Sequence, residues 1–366
     1  MFLNNFRISD RQLKKMLVFD MISISVFIIP YIAASGAGRD GLPAVAGASV
    51  AAVCYGLLML YFCKQIKEDY LQACETYLGR ILTFGLGFLY LVKLFLSAIF
   101  VLTLFTTIIH GTILSNTGRS MILLCLIVVS VFYASKTMET RARMVEILYY
   151  IVLIPLFCLF LLAVFQINPA NLFPLAVTGP TIIARTGYEV FLTFSAVEFM
   201  IFATPSISGE NENSKFGRKI IHAVLVTALF NIIVFVIVVG LLGITGATQS
   251  IWSTVSVMQM IEIPGGFVHR QDAIMLSFWL ISIFTITSTL FHYLCQITKT
   301  ITRAKHQSYI LIGYGILLFI IVMQPLEMES VFHYFGRYMA FIGLPQSVIL
   351  PLLLIMVKKW KEGTKK

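Results

Sequence analysis

The chain has 366 residues, 58% of them hydrophobic and 12% charged, with a mean hydropathy of +0.90. A soluble domain of this size could not hide so much apolar surface, so the composition excludes that class and points to a polytopic membrane protein. The net charge of +10 would suggest nucleic acid on a soluble protein, but here topology explains it and no nucleic-acid partner is expected.

A membrane span needs about 20 apolar residues. Ten stretches qualify in chain order: residues 13–35, 43–63, 81–110, 121–134, 145–165, 183–205, 220–244, 272–297, 309–323 and 338–357. The first run is long and lacks a small-residue cleavage site, so no cleavable signal peptide is expected. Three connecting stretches look structured. Residues 69–78 suit a short interfacial helix on the inner side. Residues 168–186, with Pro169, Pro174 and Pro180, read as an outer loop, and residues 250–266 as a segment across the outer face. Cys54, Cys63, Cys74, Cys125, Cys158 and Cys295 are scattered without metal-like spacing, so free thiols are expected.

The 27 Lys and Arg residues test this topology. With the N-terminus inside, only Arg39, Arg119, Arg185, Arg270 and Arg337 fall outside, and Lys93 falls within a span. All the others, Arg141 and Arg143 included, collect at inner ends. Both termini are therefore expected in the cytoplasm.

Two stretches stand apart. Residues 187–205 (GYEVFLTFSAVEFMIFATP) place Thr193, Ser195 and Ala196 before a carboxylate, Glu198, and close on Pro205. Residues 20–36 (DMISISVFIIPYIAASG) combine Asp20 with Ser23, Ser25, Pro30, Ser35 and Gly36. Small and polar residues beside an intramembrane charge are how many transporters interrupt a helix to build a ligand pocket. The two stretches are the first and sixth of ten spans, so each opens one half. The expected fold is thus one all-α transporter-like membrane domain over residues 1–366. It has a 5+5 inverted repeat, about residues 12–165 and 183–357, with discontinuous first and sixth spans.

At 1.5 Å of rise per residue, Asp20, Lys93 and Glu198 lie about 12, 18 and 14 Å into their spans, near mid-membrane. A lone buried charge neutralises, whereas a paired one can stay charged. Lys93 is therefore expected to pair with Asp20 or Glu198, whether to fix packing or to serve a site. The expected ligand pocket is lined by Ser23, Ile24 and Ser25 on the first span, and by Leu94 and Ser97 on the third. Phe194, Ser195, Ala196 and Glu198 on the sixth and Thr285 on the eighth complete it. A ligand carboxylate would meet free amides of the outer half of the first span, and an ammonium would meet carbonyls of the sixth. Hydroxyl residues at helix contacts have a plainer reading, close packing. No nucleotide loop, metal cluster or catalytic triad is present, so neither enzymatic activity nor a cofactor or metal is expected.

Several segments carry a family likeness: ISDRQL (residues 8–13), AGRDGLP (37–43), NLFPL (171–175), FSAVEFMIFATP (194–205) and FVHRQDAIMLSFW (267–279). In their order and spacing the chain resembles the B subunits of nutrient germinant receptors of endospore-forming bacteria. These belong to the amino acid–polyamine–organocation transporter superfamily. The resemblance implies a ten-span fold that senses a small nutrient, often an amino acid. It also implies work beside an A subunit and a lipid-anchored C subunit in the spore inner membrane. Ser23 and Ser25 stand where that family usually carries glycines, and Ala196 where it commonly has Gly. The alternative is a stand-alone proton-coupled amino acid permease in the cell membrane, with Asp20 and Glu198 as its proton site.

Overall fold

The computed structural model describes residues 8–66, 68–174, 176–207, 214–260 and 271–363. Arg7, Lys67, Leu175, Arg270, Lys365, Lys366 and the stretch 261–270, which holds part of the outer segment and of FVHRQDAIMLSFW, lie outside the described residues. Among the described residues the regular structure is helical, apart from one bridge pairing Ile8 with Ile207.

The first half runs α1 (Asp10–Ala37), α2 (Gly41–Gln65), α3 (Tyr70–Leu78), α4 (Arg80–Thr112), α5 (Arg119–Ala134) and α6 (Met138–Val164). The second runs α7 (Pro180–Phe191), a seven-residue 3-10 run (Leu192–Glu198), α8 (Phe199–Ala203), α9 (Ser214–Thr248), α10 (Ser253–Met260), α11 (Gln271–Thr302) and α12 (Gln307–Val322). It ends with α13 (Met328–Tyr338), a π-helical turn (Met339–Gly343) and α14 (Leu344–Gly363). Among the described residues, seven stretches are long and apolar enough to cross a membrane. The first of them, Asp10–Gln65, contains both α1 and α2; α5 and α12 are shorter apolar helices. This pattern fits a multi-pass membrane protein.

α1 is the axis of the fold. Ser9 caps it, its hydroxyl accepting from the Gln12 amide while the Gln12 side chain accepts from the Ser9 amide. The helix is apolar all round, as a fully surrounded helix must be, and touches α2, α6, α7, α9, α10 and α11. On the periphery, exposed Ile147, Ile151, Ile154, Phe157 and Leu161 form a stripe at helical spacing along α6, and Ile312, Ile316 and Ile320 form another on α12. Apolar stripes of that size are surfaces for lipid, not water.

One expectation is corrected at once. The sequence predicts a break in the first span, yet α1 is continuous from Asp10 to Ala37. Pro30 lies inside it and cannot supply the amide that Val26 O would accept four residues back. Thr254 Oγ1 on α10 donates to that carbonyl instead, at 2.6 Å. The serines are absorbed too. Ser23 Oγ bonds Phe19 O (2.5 Å) and Ser282 O (2.9 Å), and Ser25 Oγ donates to Asn231 Oδ1 at 2.7 Å. Without a break there are no free amides mid-way along α1, so the expected carboxylate site there does not exist.

The sixth span does change its winding. α7 gives way to the 3-10 run, then α8, then another 3-10 turn at Thr204–Ser206. A 3-10 run this long is uncommon and marks strain or a hinge. The span starts earlier than predicted, with Pro180 at the first helical turn, so the outer loop is shorter than residues 168–186. That loop is firmly held. Asp40, in the turn between α1 and α2, accepts from the amides of Ala176, Val177 and Thr178 and from the Thr178 hydroxyl.

Residues 69–78 are helical as expected, but α3 packs one face inward. Tyr70 and Cys74 are buried, and Tyr70 meets Tyr90 and Phe202 edge-on at 5.7 and 5.9 Å between ring centres. All six cysteines are free.

Candidate functional site

A cavity of about 1090 Å³ opens between α1, α4, the α7–α8 span and α13. Its walls are mostly aliphatic and aromatic, with a few polar groups, the usual make-up of a small-molecule site. α7, including Arg185 and Glu189, α11 and the π-helical turn also reach it, and four elements supply most of the rest. α1 contributes Asp20, Ile24, Ile28, Tyr31 and Ser35, and α4 contributes Lys93, Leu94, Ser97, Phe100 and Val101. The 3-10 run contributes Leu192, Thr193, Ser195, Ala196 and Glu198, and α13 contributes Phe332, Phe335 and Gly336.

Two buried charge groups border this space. In the first, Lys93 Nζ donates to Glu198 Oε2 at 2.5 Å and to Gly343 O at 2.7 Å. Both side chains are buried, at 2% and 4% exposure. The carbonyl comes from the π-helical turn, where the wider winding shifts the hydrogen-bond pattern and frees an acceptor. Gly343 keeps this spot close-packed: a Cβ would lie 2.6 Å from Met339 Sδ, which would have to move, and 3.6 Å from Lys93 Cε. Tyr188 Oη holds the same turn from α7 by donating to Ala340 O at 2.6 Å. One ammonium thus joins α4, the end of the 3-10 run and the π-helical turn before α14.

In the second group, Asp20 and Arg141 meet through a hydroxyl. Arg141 Nη2 donates to Thr289 Oγ1 at 2.9 Å, and the Thr289 proton is shared between Asp20 Oδ1 (3.3 Å) and Thr285 O (3.0 Å). Arg141 is fully buried, with its guanidinium carbon 5.5 Å from the centre of the Tyr133 ring. Among the described residues, no cation comes within ion-pair distance of Asp20. Each group joins one acid to one base, and Arg185, Glu189 and Arg337 line the cavity beside them.

The structure sorts the residues expected at the site. Asp20, Ile24, Lys93, Leu94, Ser97, Ser195, Ala196 and Glu198 line the cavity. Ser23, Ser25, Phe194 and Thr285 do not: Ser23 and Thr285 both donate to Ser282 O, Ser25 bonds Asn231, and Phe194 is fully buried. Of the two acids offered as partners for Lys93, the structure selects Glu198. Two contributions escaped the sequence reading. Arg141 counted as an inner loop charge, yet it is buried beside Asp20. The wall from α13 was missed too. Its signal was there, since Phe332, Phe335, Gly336 and Met339 recur at helical spacing within an otherwise polar stretch.

The chain is similar to known proteins over most of its length. A family model described as "Spore germination protein" matches residues 7–330. Spore germination protein YndE of Bacillus subtilis (strain 168) is 22% identical over 370 residues, covering 100% of each chain. Spore germination protein KB of the same organism is 25% identical, covering 97% of this chain and 95% of that one. Spore germination protein GerLB of Bacillus cereus is 27% identical over 48% of each. The family match covers Asp20, Lys93, Arg141, Glu198 and Thr289 and ends before the cavity-lining residues of α13, the relative YndE aligns over the whole chain, and the chain belongs to the spore germination protein family.

Proposed function

We propose that this chain is the membrane subunit of a spore nutrient germinant receptor. It binds a small nutrient, an amino acid, in the cavity between α1, α4, the 3-10 run and α13, and so triggers germination. The observation that carries this reading is the cavity itself, mostly apolar and bordered by two groups that each join an acid to a base, in a chain of this family. A zwitterion meets that balance without stranding a charge. The pocket residues are Ile24, Leu94, Ser97, Ser195 and Ala196, with Glu198, Lys93 and Asp20 at its edge.

In this reading ten spans cross the membrane, counting α1 and α2 separately and including α5 and α12. They form two inverted halves of five. The spore inner membrane holds the chain, both termini face the cytoplasm, and germinant receptor A and C subunits are its partners. A second reading, a stand-alone proton-coupled permease, draws on Asp20, a cavity-lining acid with no ion pair among the described residues. Proton-driven uptake of a labelled amino acid by the isolated chain in vesicles would favour it.

Ala196→Leu tests the pocket, because Ala196 borders the cavity and is otherwise buried, so a larger side chain must enter the open space. Spores carrying it are expected to need at least tenfold more nutrient, a loss of roughly 1.4 kcal/mol in binding, and to answer nutrient-independent triggers normally. A wild-type dose response at normal protein levels would remove the ligand from this cavity. Orientation needs introduced cysteines. Natural Cys74 is buried and its thiol is pushed up to about 12 by that burial, so it is a poor labelling site. Asn116→Cys should react with an impermeant reagent from outside and Thr137→Cys should not, both positions being exposed.

A further inference from the structure

We propose that the ligand of this cavity is an amino acid with a bulky apolar or aromatic side chain, not an alanine-sized one. This rests on the reading above that a nutrient amino acid binds here.

The cavity divides into two chemistries. One end is polar. It holds Glu198 and Lys93, and beside them the Ser195 hydroxyl, which lines the cavity and makes no hydrogen bond among the described residues. A zwitterionic head fits this end, with the unspent hydroxyl donating to its carboxylate. The other end is aromatic. Phe100 and Phe335 stack at 4.5 Å and 13°, Tyr31 meets Phe332 edge-on at 5.6 Å, and Phe100 lies 6.3 Å from Phe332. These four rings come from α1, α4 and α13 and all line the cavity.

The distance between the ends selects the ligand. Phe100 follows Lys93 by seven positions on α4, about 10 Å along the axis. A methyl side chain on a head held near Ser195 leaves that interval empty, and an unfilled apolar space forfeits its contacts. A phenyl or branched aliphatic side chain crosses it and meets the rings, where aromatic pairs add attraction beyond area burial. Between the two ends the lining is chiefly Ile28, Leu94 and Val101, and the Ser97 hydroxyl there already donates to Lys93 O at 2.9 Å.

The test uses the full chain in lipid nanodiscs, with L-phenylalanine, L-leucine and L-alanine as probes in equilibrium binding. L-Phenylalanine and L-leucine are expected to half-saturate at concentrations at least tenfold below L-alanine. Phe335→Ala should weaken L-phenylalanine at least tenfold and leave L-alanine within twofold. Phe332→Ala, a second removal from the same wall, should act in the same direction, and Phe335→Leu should retain most L-leucine binding. Ala196→Leu should abolish binding of all three. If Ala196→Leu abolishes binding while L-alanine binds as tightly as L-phenylalanine, the pocket stands and the ligand class is wrong. If Ala196→Leu leaves binding intact, the pocket reading falls and this proposal falls with it. Absence of binding by all three probes overturns the proposal.

Discussion

The two buried acids, Asp20 and Glu198, solve the same problem differently. Glu198 touches its cation directly: Lys93 sits 2.5 Å away and has one further acceptor, Gly343 O. Asp20 reaches Arg141 only through the Thr289 hydroxyl. The direct pair ties three parts of the chain to one point, so its geometry leaves little freedom. The bridged pair depends on a single proton that a backbone carbonyl also claims. Proximity decides which acid is the structural pin and which is open to its surroundings, because Asp20 faces the cavity with part of its hydrogen-bonding capacity in reserve.

That contrast predicts a ranking. Lys93→Met strands Glu198 in an apolar site and should cost the most, about 3–5 kcal/mol. Unfolding in a denaturing-detergent titration would read it, and Glu198→Gln in the same chain should restore much of the loss. Failure of the double variant to recover would show that the pair is not what Lys93 is for. Arg141→Met should cost less, about 1.5–3 kcal/mol, since Asp20 keeps Thr289 and borders open space. Equal losses in Lys93→Met and Arg141→Met would erase the distinction between the two groups. Thr289→Val should remove about 1 kcal/mol and Thr289→Ser should return it, because only the hydroxyl makes the bridge.

The smallest expected effect belongs to the proline in α1. Thr254→Val should cost about 0.6 kcal/mol, the scale of an interhelical hydrogen bond in a membrane. In a chain that also carries Pro30→Ala the same change should cost nothing, because that substitution restores a backbone amide that satisfies Val26 O. An undiminished Thr254→Val loss in that background would mean that Thr254 does not stand in for the missing amide.

The same pairings explain what the sequence could and could not reveal. Each of the ten apolar stretches contains helix, because length and apolarity are local properties. The change of winding at Leu192–Glu198 is local as well: Thr193, Ser195 and Ala196 lie together before Glu198. The continuity of α1 is not local. Ser23, Ser25 and Pro30 mark a place where a helix can open, and it stays closed because of Ser282, Asn231 and Thr254, each more than 200 positions away. Arg141 misled for the same reason. A charge count sees an arginine near the start of a span, whereas its burial depends on a threonine 148 positions on. The choice of Glu198 over Asp20 as the partner of Lys93 also needed the third dimension.

The π-helical turn at Met339–Gly343 sets the phase of the aromatic wall. Such a turn holds one more residue than the α-helix it interrupts. Rewinding this turn as regular α-helix with no residue removed would rotate α13 by about 100° relative to α14, the advance of the one extra residue. Phe332, Phe335 and Gly336 would swing off the cavity together, and Gly343 O would be reclaimed from Lys93. A change of winding in a single turn, at constant length, can therefore exchange a whole wall of this cavity while every aromatic side chain in it remains.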